Sequence, residues 1–161
     1  IAPRAFRDEE LFETRAELEK CGHSITLAST QTSPCKGMMG GSAKPDMLLE
    51  RVDEADFDAV VFVGGSGTPV LYDNADTHRI ANEMYKQGKL VSAICLAPVI
   101  LARAGLLKGR KATVFYSAQH LLTAGGADYT GEPVTVDGKL VTGNGPAAAE
   151  TFGKTLCKQL A

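Results

Sequence analysis

Cys95 lies where an apolar segment of strand type, "KLVSAI", is followed by an apolar segment of helix type, "LAPVILARAG". A cysteine at such a junction is close to unpaired backbone N–H groups and to the positive end of the helix dipole, and both favour the nucleophilic thiolate. Hydrolases present a nucleophile on the same kind of strand-to-helix elbow, although "AICLAP" lacks the glycines of their motif. The junction makes Cys95 a candidate nucleophile, and a structural cysteine in the core is the alternative.

Candidate acid–base partners come near the start of the sequence, in "RDEELFETRAELEKCG". This segment predicts a helix with Asp8 as its N-cap and with Glu9, Glu10 and Glu13 close to its beginning. The helix dipole stabilises a carboxylate there even when it is fully solvated. The pattern alone therefore leaves a surface role open for each of the three glutamates.

The remaining cysteines and histidines do not form a recognisable site. Cys21 and Cys157 fall in predicted helices and are interpreted as structural, whereas Cys35 falls in a long loop where it could be exposed. No CxxC pair occurs and the three histidines are scattered, so we predict no metal site. Widely spaced cysteines are typical of a cytoplasmic protein with reduced thiols, and that is the predicted localisation.

Composition excludes several classes of partner. The formal net charge is −2 with both signs interspersed, which argues against nucleic acid or an anionic membrane surface as a partner. No apolar segment reaches the roughly 18 residues of a membrane span, and no signal peptide is recognised. "GGSGTP" lacks the lysine of a phosphate-binding loop, and "GNGP" is interpreted as a turn before the last helix.

Strand and helix patterns alternate along the whole sequence, which predicts one α/β domain over residues 1–161. The central strands are continuous apolar segments, as in a mostly parallel sheet that helices cover on both faces. "VTVDGKLVTG" predicts a small β-hairpin on an Asp-Gly turn. Ligands of such sheets bind at the carboxyl ends of strands. Three candidate positions lie at such ends: Gly64–Gly65, Cys95, and the loop before Glu9 and Glu10.

Four segments resemble, in order and spacing, the conserved blocks of the ThiJ/PfpI superfamily of deglycases, glyoxalases and intracellular proteases: "FRDEELFETRAELEKCGHSITLAS", "FDAVVFVGGSG", "LVSAICLAPVILARAGLLKGRKAT" and "VTVDGKLVTGNGPAAAETFGK". The resemblance implies a flavodoxin-like three-layer sandwich, related to class I glutamine amidotransferases, in a homodimer or larger homo-oligomer without a cofactor. It also implies that Cys95 is the reactive cysteine and Glu10 its acidic partner. The backbone N–H groups of Gly65 and Leu96 would be the oxyanion donors. Members of the superfamily begin with a further strand, so we expect a strand before Ile1.

Two departures from the superfamily pattern limit the predicted chemistry. Protease-like members carry histidine directly after the cysteine, and this chain has Leu96 there; deglycase-like members carry histidine in the strand "KATVF", and this chain has Phe115. His120, slightly further on, is a candidate base only if the loop geometry brings it to the site.

A thiol beside a carboxyl group, without imidazole, is sufficient to add to a reactive aldehyde and to move one proton. Cleavage of an amide demands more, because the amine leaving group must be protonated. We therefore predict an enzyme of glyoxalase or deglycase type that acts on small electrophiles or aldehydes through Cys95 and Glu10. Two alternatives stay open: a redox-sensing or protective protein in which Cys95 is oxidised without turnover, and an intracellular cysteine peptidase.

Overall fold

The computed structural model describes all 161 residues. Five α-helices and eleven β-strands follow one another along the chain, joined by turns and short 3₁₀ segments. In chain order they are β1 (Arg4–Phe6), α1 (Asp8–Lys20), β2 (Ala28–Ser29), β3 (Cys35–Gly37), β4 (Ser42–Ala43), β5 (Met47–Leu48), β6 (Ala59–Phe62), α2 (Ala75–Lys86), β7 (Leu90–Ile94), α3 (Pro98–Arg103), β8 (Lys111–Ala112), α4 (Gln119–Ala124), β9 (Asp128–Tyr129), β10 (Val134–Asp137), β11 (Leu140–Gly143) and α5 (Ala149–Leu160).

The central sheet has the strand order β10-β11-β7-β6, in which β6, β7 and β11 are parallel. Side chains of β7 alternate between its two faces. Val91 and Ala93 pack in an apolar cluster with α2 and α3, whereas Leu90 and Ile94 pack in a second cluster with α5. Helices therefore cover both faces of the sheet. The predicted α/β three-layer sandwich with a mostly parallel sheet is confirmed.

The predicted hairpin is also confirmed, because β10 and β11 pair antiparallel. Its turn contains Gly138 at φ +59°, a left-handed conformation that glycine adopts without strain.

Several local predictions differ from the structure. The predicted strand "SITLAS" is reduced to β2, and "KATVF" is reduced to β8, which pairs with β9. The long segment predicted as a loop contains β3 and β4, and β3 pairs with β1 in a separate three-stranded sheet. Cys35 lies in β3 and is fully buried, so the prediction that it could be exposed is wrong. The reason is that "IAPRAF" and the loop bury one another's apolar side chains.

Asp8 is not the N-cap of α1, because Arg7 occupies that position and Asp8 is the first helical residue. The carboxylate of Asp8 instead accepts hydrogen bonds from the backbone N–H groups of Met39 (2.9 Å) and Gly41 (2.7 Å). Asp8 thus ties the start of α1 to the loop after β3.

An apolar groove of about 440 Å³ lies between β2 and β6, with Ile25, Leu27, Val61 and Val63 among its lining residues. β6 is the last strand of the central sheet and pairs only with β7, so its other edge has no strand partner. The expected strand before Ile1 stays a prediction.

Cys21 and Cys157 form a disulfide bond that joins the end of α1 to α5. The expectation that all four thiols are reduced is therefore wrong, and the free cysteines are Cys35 and Cys95. The two bonded residues are separated by 136 positions in the sequence, and only the packing of α1 against α5 brings them together.

Among the helices, none is long and apolar enough to cross a membrane.

Candidate active site

Cys95 directly follows β7 and adopts φ 65°, a left-handed conformation that is rare for a residue with a side chain. Such strain persists where the surrounding structure holds it, and it is frequent at functional sites. The peptide of Cys95 is fixed from both sides: its N–H donates to the carbonyl of Gly143 (2.9 Å), and its carbonyl accepts from the N–H of Phe115 (2.8 Å). The predicted elbow is present, although α3 is short and begins only at Pro98.

Glu10 lies in the first turn of α1 and is completely buried. Its Oε1 accepts a hydrogen bond from the backbone N–H of Gly64 (3.0 Å), whereas Oε2 is buried without a hydrogen-bond partner. Gly64 also separates the two candidate side chains, because a Cβ there would lie 2.6 Å from Oε1 of Glu10 and 2.6 Å from the Cβ of Cys95. The carboxyl and the thiol therefore meet over a position that only glycine fits.

Burial and mutual contact set the ionisation of this pair. Burial raises the pKa of Glu10 to about 7, and the nearby Cys95 thiol and the hydrogen bond from the backbone N–H of Gly64 act against that rise. Burial also raises the pKa of the Cys95 thiol, and the charge of an ionised Glu10 raises it further. The two groups therefore titrate as one pair that holds a single negative charge above pH 7. Because the pKa of Cys95 is raised well above that of Glu10, this charge lies mainly on Glu10, and a thiolate forms only when the proton of Cys95 is transferred to Glu10.

Two backbone N–H groups, those of Leu96 and Gly65, approach the sulfur of Cys95 and lower its pKa in opposition to burial. Neither donates to another backbone carbonyl. Gly65 has φ +126°, and a Cβ there would lie 2.3 Å from the carbonyl oxygen of Ala5, so a side chain is excluded. The structure thus places these N–H groups where the predicted oxyanion donors should be, and their catalytic role stays a prediction.

The histidines do not join the site. His120 is exposed on α4, and the groups that shift the pKa of Cys95 or Glu10 do not include it. His78 binds the carbonyl of Tyr72 through Nε2 (2.7 Å), and His23 follows the end of α1. Leu96 and Phe115, the residues in place of the two expected imidazoles, both pack against the apolar cluster that contains Cys95. The candidate site therefore consists of one thiol, one carboxyl group and backbone donors.

Two further residues near the pair were missed by sequence reasoning. Arg7 forms an ion pair with Glu9 (2.5 Å), and its positive charge lowers the pKa of Glu10. Tyr72 is nearly buried, and its phenol has a pKa raised by burial and then by the charge of Cys95. Arg7 could have been identified because it precedes Glu10 by one helical turn, whereas nothing in the sequence around Tyr72 indicates its position.

Metal ligation is not supported by the arrangement of side chains. No group of three or more histidine, cysteine, aspartate or glutamate residues is placed together so that it could hold a metal ion. The acid–base chemistry available at Cys95 is that of Glu10.

Comparison with known proteins agrees with this geometry. Residues 1–159 match the model of the DJ-1/PfpI family. The chain is similar to a deglycase of Pyrococcus horikoshii, with 34% identity over 99% of this chain and 96% of the relative. It is also similar to a glutathione-independent glyoxalase of Caenorhabditis elegans, with 27% identity over 99% of this chain and 86% of the relative.

The crystal structure of a ThiJ/PfpI domain protein from Brachyspira murdochii superposes with a TM-score of 0.97. It is 33% identical and covers 99% of this chain and 92% of that one. The match of the family model over nearly all residues, together with these likenesses, shows that the chain belongs to the DJ-1/PfpI family.

Proposed function

We propose that this protein is an enzyme that converts small reactive carbonyl compounds, in a reaction of glyoxalase or deglycase type, with Cys95 as nucleophile and Glu10 as acid and base. The observation that carries the proposal is the contact between a strained, nearly buried thiol and a completely buried carboxyl group whose pKa is about 7. An acid–base group is most effective when its pKa is near the working pH. Relatives named as deglycase and glyoxalase support the same reaction class.

The proposed reaction of a 2-oxoaldehyde begins with a thiolate at Cys95 and a protonated Glu10. The sulfur forms a bond to the aldehyde carbon, and the carbonyl electrons move to the oxygen, which accepts hydrogen bonds from Gly65 and Leu96 and then takes the proton of Glu10. Glu10 as carboxylate removes the proton from the former aldehyde carbon and returns it to the neighbouring carbon. Water then cleaves the resulting thioester, so the sum is one aldehyde plus one water giving one 2-hydroxy acid, without an oxidant.

The test is lactate formation from methylglyoxal without added thiol or metal. We expect wild-type turnover that is abolished in Cys95→Ser and reduced about 10²- to 10⁴-fold in Glu10→Gln, the range that general acid–base catalysis contributes. Cys35→Ala, at the other free thiol, and Glu9→Gln, at the neighbouring carboxylate, are the matched controls and should keep most of the activity. Wild-type turnover that survives in Cys95→Ser would contradict the proposal.

An oxidisable, non-catalytic Cys95 is the second candidate function. The observation in its favour is Oε2 of Glu10, which is buried without a partner and could donate a hydrogen bond to a sulfinate oxygen when protonated. Mass spectrometry after peroxide treatment distinguishes the two functions when it is combined with the lactate assay. Gain of two oxygen atoms at Cys95 together with no lactate in any condition would favour this alternative.

The peptidase hypothesis is the weakest of the three. Leaving amines are protonated in cysteine peptidases by imidazole, and no histidine is among the groups that shift the pKa of Cys95. We expect that the protein does not cleave a fluorogenic peptide in a reaction that requires Cys95.

A further inference from the structure

A second cavity, of about 320 Å³, opens beside the elbow. Eight residues line it and none of them is charged. They include Phe115, Tyr116, Tyr129, Asn144, Pro146 and Ala147. This cavity is distinct from the groove beside β6, with which it shares no lining residue.

One wall of the cavity is hydrogen-bonded to the peptide of Cys95, and the other directly follows a residue that is. One wall begins at Phe115, whose N–H donates to the carbonyl of Cys95, and the other begins at Asn144, directly after the Gly143 carbonyl that accepts from the N–H of Cys95. The ring of Phe115 packs against the apolar cluster that contains Cys95. Cys95 itself is not among the lining residues, so the cavity neighbours the elbow through Phe115 and through the segment that follows Gly143.

The lining favours a flat apolar group. The rings of Phe115 and Tyr116 lie 4.7 Å apart between centroids at an angle of 43°, and Tyr129 adds a third ring. Aromatic rings pack on one another in offset or edge-on arrangements that contribute beyond the area they bury. Apolar cavities of about 150 Å³ already bind benzene, so the volume here is sufficient for a phenyl group. The absence of a charged lining residue disfavours a phosphorylated or ionic substituent.

We propose that this cavity receives the substituent of the carbonyl substrate, and that the preferred substrates are 2-oxoaldehydes with an aryl or similarly flat apolar substituent rather than a methyl group. The inference rests on the proposed function, in which Cys95 attacks the aldehyde carbon. The inference adds a substrate class to that function, because a methyl substituent would be too small to contact the aromatic rings that line the cavity. The stoichiometry is the same as for other 2-oxoaldehydes: one phenylglyoxal and one water give one mandelate.

The first measurement is the ratio of kcat/KM for phenylglyoxal to that for methylglyoxal. We expect this ratio to be at least about tenfold in wild type, since even a single additional methylene in a fitted pocket contributes about 10-fold or more. Ala147 is exposed, so Ala147→Leu can fill the cavity mouth without disturbing the core, and it should lower the ratio several-fold. Ala124→Leu, an equally exposed position outside the lining, should keep the wild-type ratio.

The second measurement does not need turnover. Cys95 is alkylated with iodoacetanilide and with iodoacetamide, and the rate ratio is divided by the ratio for free glutathione to remove intrinsic reactivity. We expect a preference of at least about fivefold for the anilide in wild type and in Ala124→Leu, and its loss in Ala147→Leu.

The outcomes separate the two proposals. Methylglyoxal turnover without an aryl preference in either measurement would overturn the cavity assignment and leave the proposed function standing. No turnover of either aldehyde, with the alkylation preference intact and lost in Ala147→Leu, would support the cavity as an aryl site and overturn the proposed function. Absence of turnover and of any alkylation preference would overturn both.

Discussion

The proposed chemistry depends on two residues, Cys95 and Glu10, that are held in energetically unfavourable states. Cys95 is kept in a left-handed conformation, and Glu10 is buried with one oxygen unpaired. Neither state stabilises the fold, and a buried carboxyl group without full hydrogen bonding is destabilising by a few kcal/mol. A protein retains such residues when they are needed for function.

The burial of Glu10 predicts a particular dependence of stability on pH. Its pKa is about 7 in the folded protein against an ordinary value of 4.5, so stabilisation that is fully present below pH 4.5 is lost as the pH rises through about 7. We expect this group alone to lower the free energy of unfolding by about 3 kcal/mol between pH 4.5 and pH 8. Urea unfolding of wild type and Glu10→Gln should show the loss in wild type only.

Glu9→Gln is the matched control for this prediction. Glu9 lies next to Glu10 but is paired with Arg7, which lowers the pKa of Glu9, whereas burial raises that of Glu10. This variant should follow the wild-type dependence on pH. An identical dependence in wild type and in Glu10→Gln would mean that Glu10 has an ordinary pKa.

A substitution at Gly64 tests how closely the two side chains meet. In Gly64→Ala the new methyl group would overlap Oε1 of Glu10, the Cβ of Cys95 and the carbonyl of Ile94, each 2.6 Å away. We expect loss of carbonyl turnover and a free energy of unfolding lower by about 1–3 kcal/mol, the range for overpacking of a core. Gly22→Ala, at a positive-φ glycine with no atom near the added Cβ, should be destabilising without loss of activity.

At the scale of elements, the contact between α1 and α5 positions Glu10. Gly153 of α5 packs against α1, since a Cβ there would lie 2.7 Å from the Cβ of Glu17 and 3.3 Å from the Cα of Thr14. The disulfide between Cys21 and Cys157 closes the same contact at the end of α1. The helix that carries Glu10 is thus attached covalently to the last helix.

The disulfide should contribute measurably to stability. It closes a loop with a sequence separation of 136, and long loops of this kind stabilise a protein by about 2–5 kcal/mol when the bond is formed. We expect dithiothreitol to lower the urea midpoint of wild type, and the double variant Cys21→Ser/Cys157→Ser to have the lower midpoint already and to be insensitive to dithiothreitol. A wild-type midpoint unaffected by dithiothreitol would show that the bond does not form in solution.

The elements also show what the sequence could and could not predict. β7, α2 and the β10–β11 hairpin were predictable because their apolar periods and turn residues are strong local signals. β3 and β4 are two or three residues long and polar in part, so their pairing depends on contacts with distant residues. The disulfide likewise required knowledge of how α1 packs on α5.

The candidate site was predictable to a similar degree. Cys95 is marked locally by the change from a strand pattern to a helix pattern, and the structure places it at the elbow. Only the family resemblance distinguishes Glu10 from Glu9 and Glu13. The sequence does not show how α1 is rotated relative to Gly64, and that rotation decides which of the three carboxyl groups is buried. The elbow predicts a favoured thiolate at Cys95, and this prediction is wrong, because burial and the charge of Glu10 raise its pKa more than the N–H groups of Leu96 and Gly65 lower it.

At the scale of the whole molecule, the fold brings three chain segments to one point. Residues 7–10, 64–65 and 95–96 meet at the carboxyl ends of parallel strands, where ligands bind in sheets of this type. The predicted homodimer or larger homo-oligomer stays a prediction. Sedimentation equilibrium at micromolar concentration would test it, and a mass equal to one chain would contradict it.

The central claim is that Cys95 and Glu10 share one proton and ionise together near pH 7. Cys95 is well suited to a direct test, because it is slightly exposed, Cys35 is fully buried and the other two cysteines are bonded to each other. The measurement is the rate of iodoacetamide alkylation of Cys95 between pH 5 and pH 10 in wild type and in Glu10→Gln, with the labelled residue identified by mass spectrometry. The pair gains its negative charge at about pH 7, so the wild-type rate should rise with a midpoint there. In Glu10→Gln the buried thiol must ionise alone, and the midpoint should move well above pH 7. The same midpoint in both proteins would contradict the account.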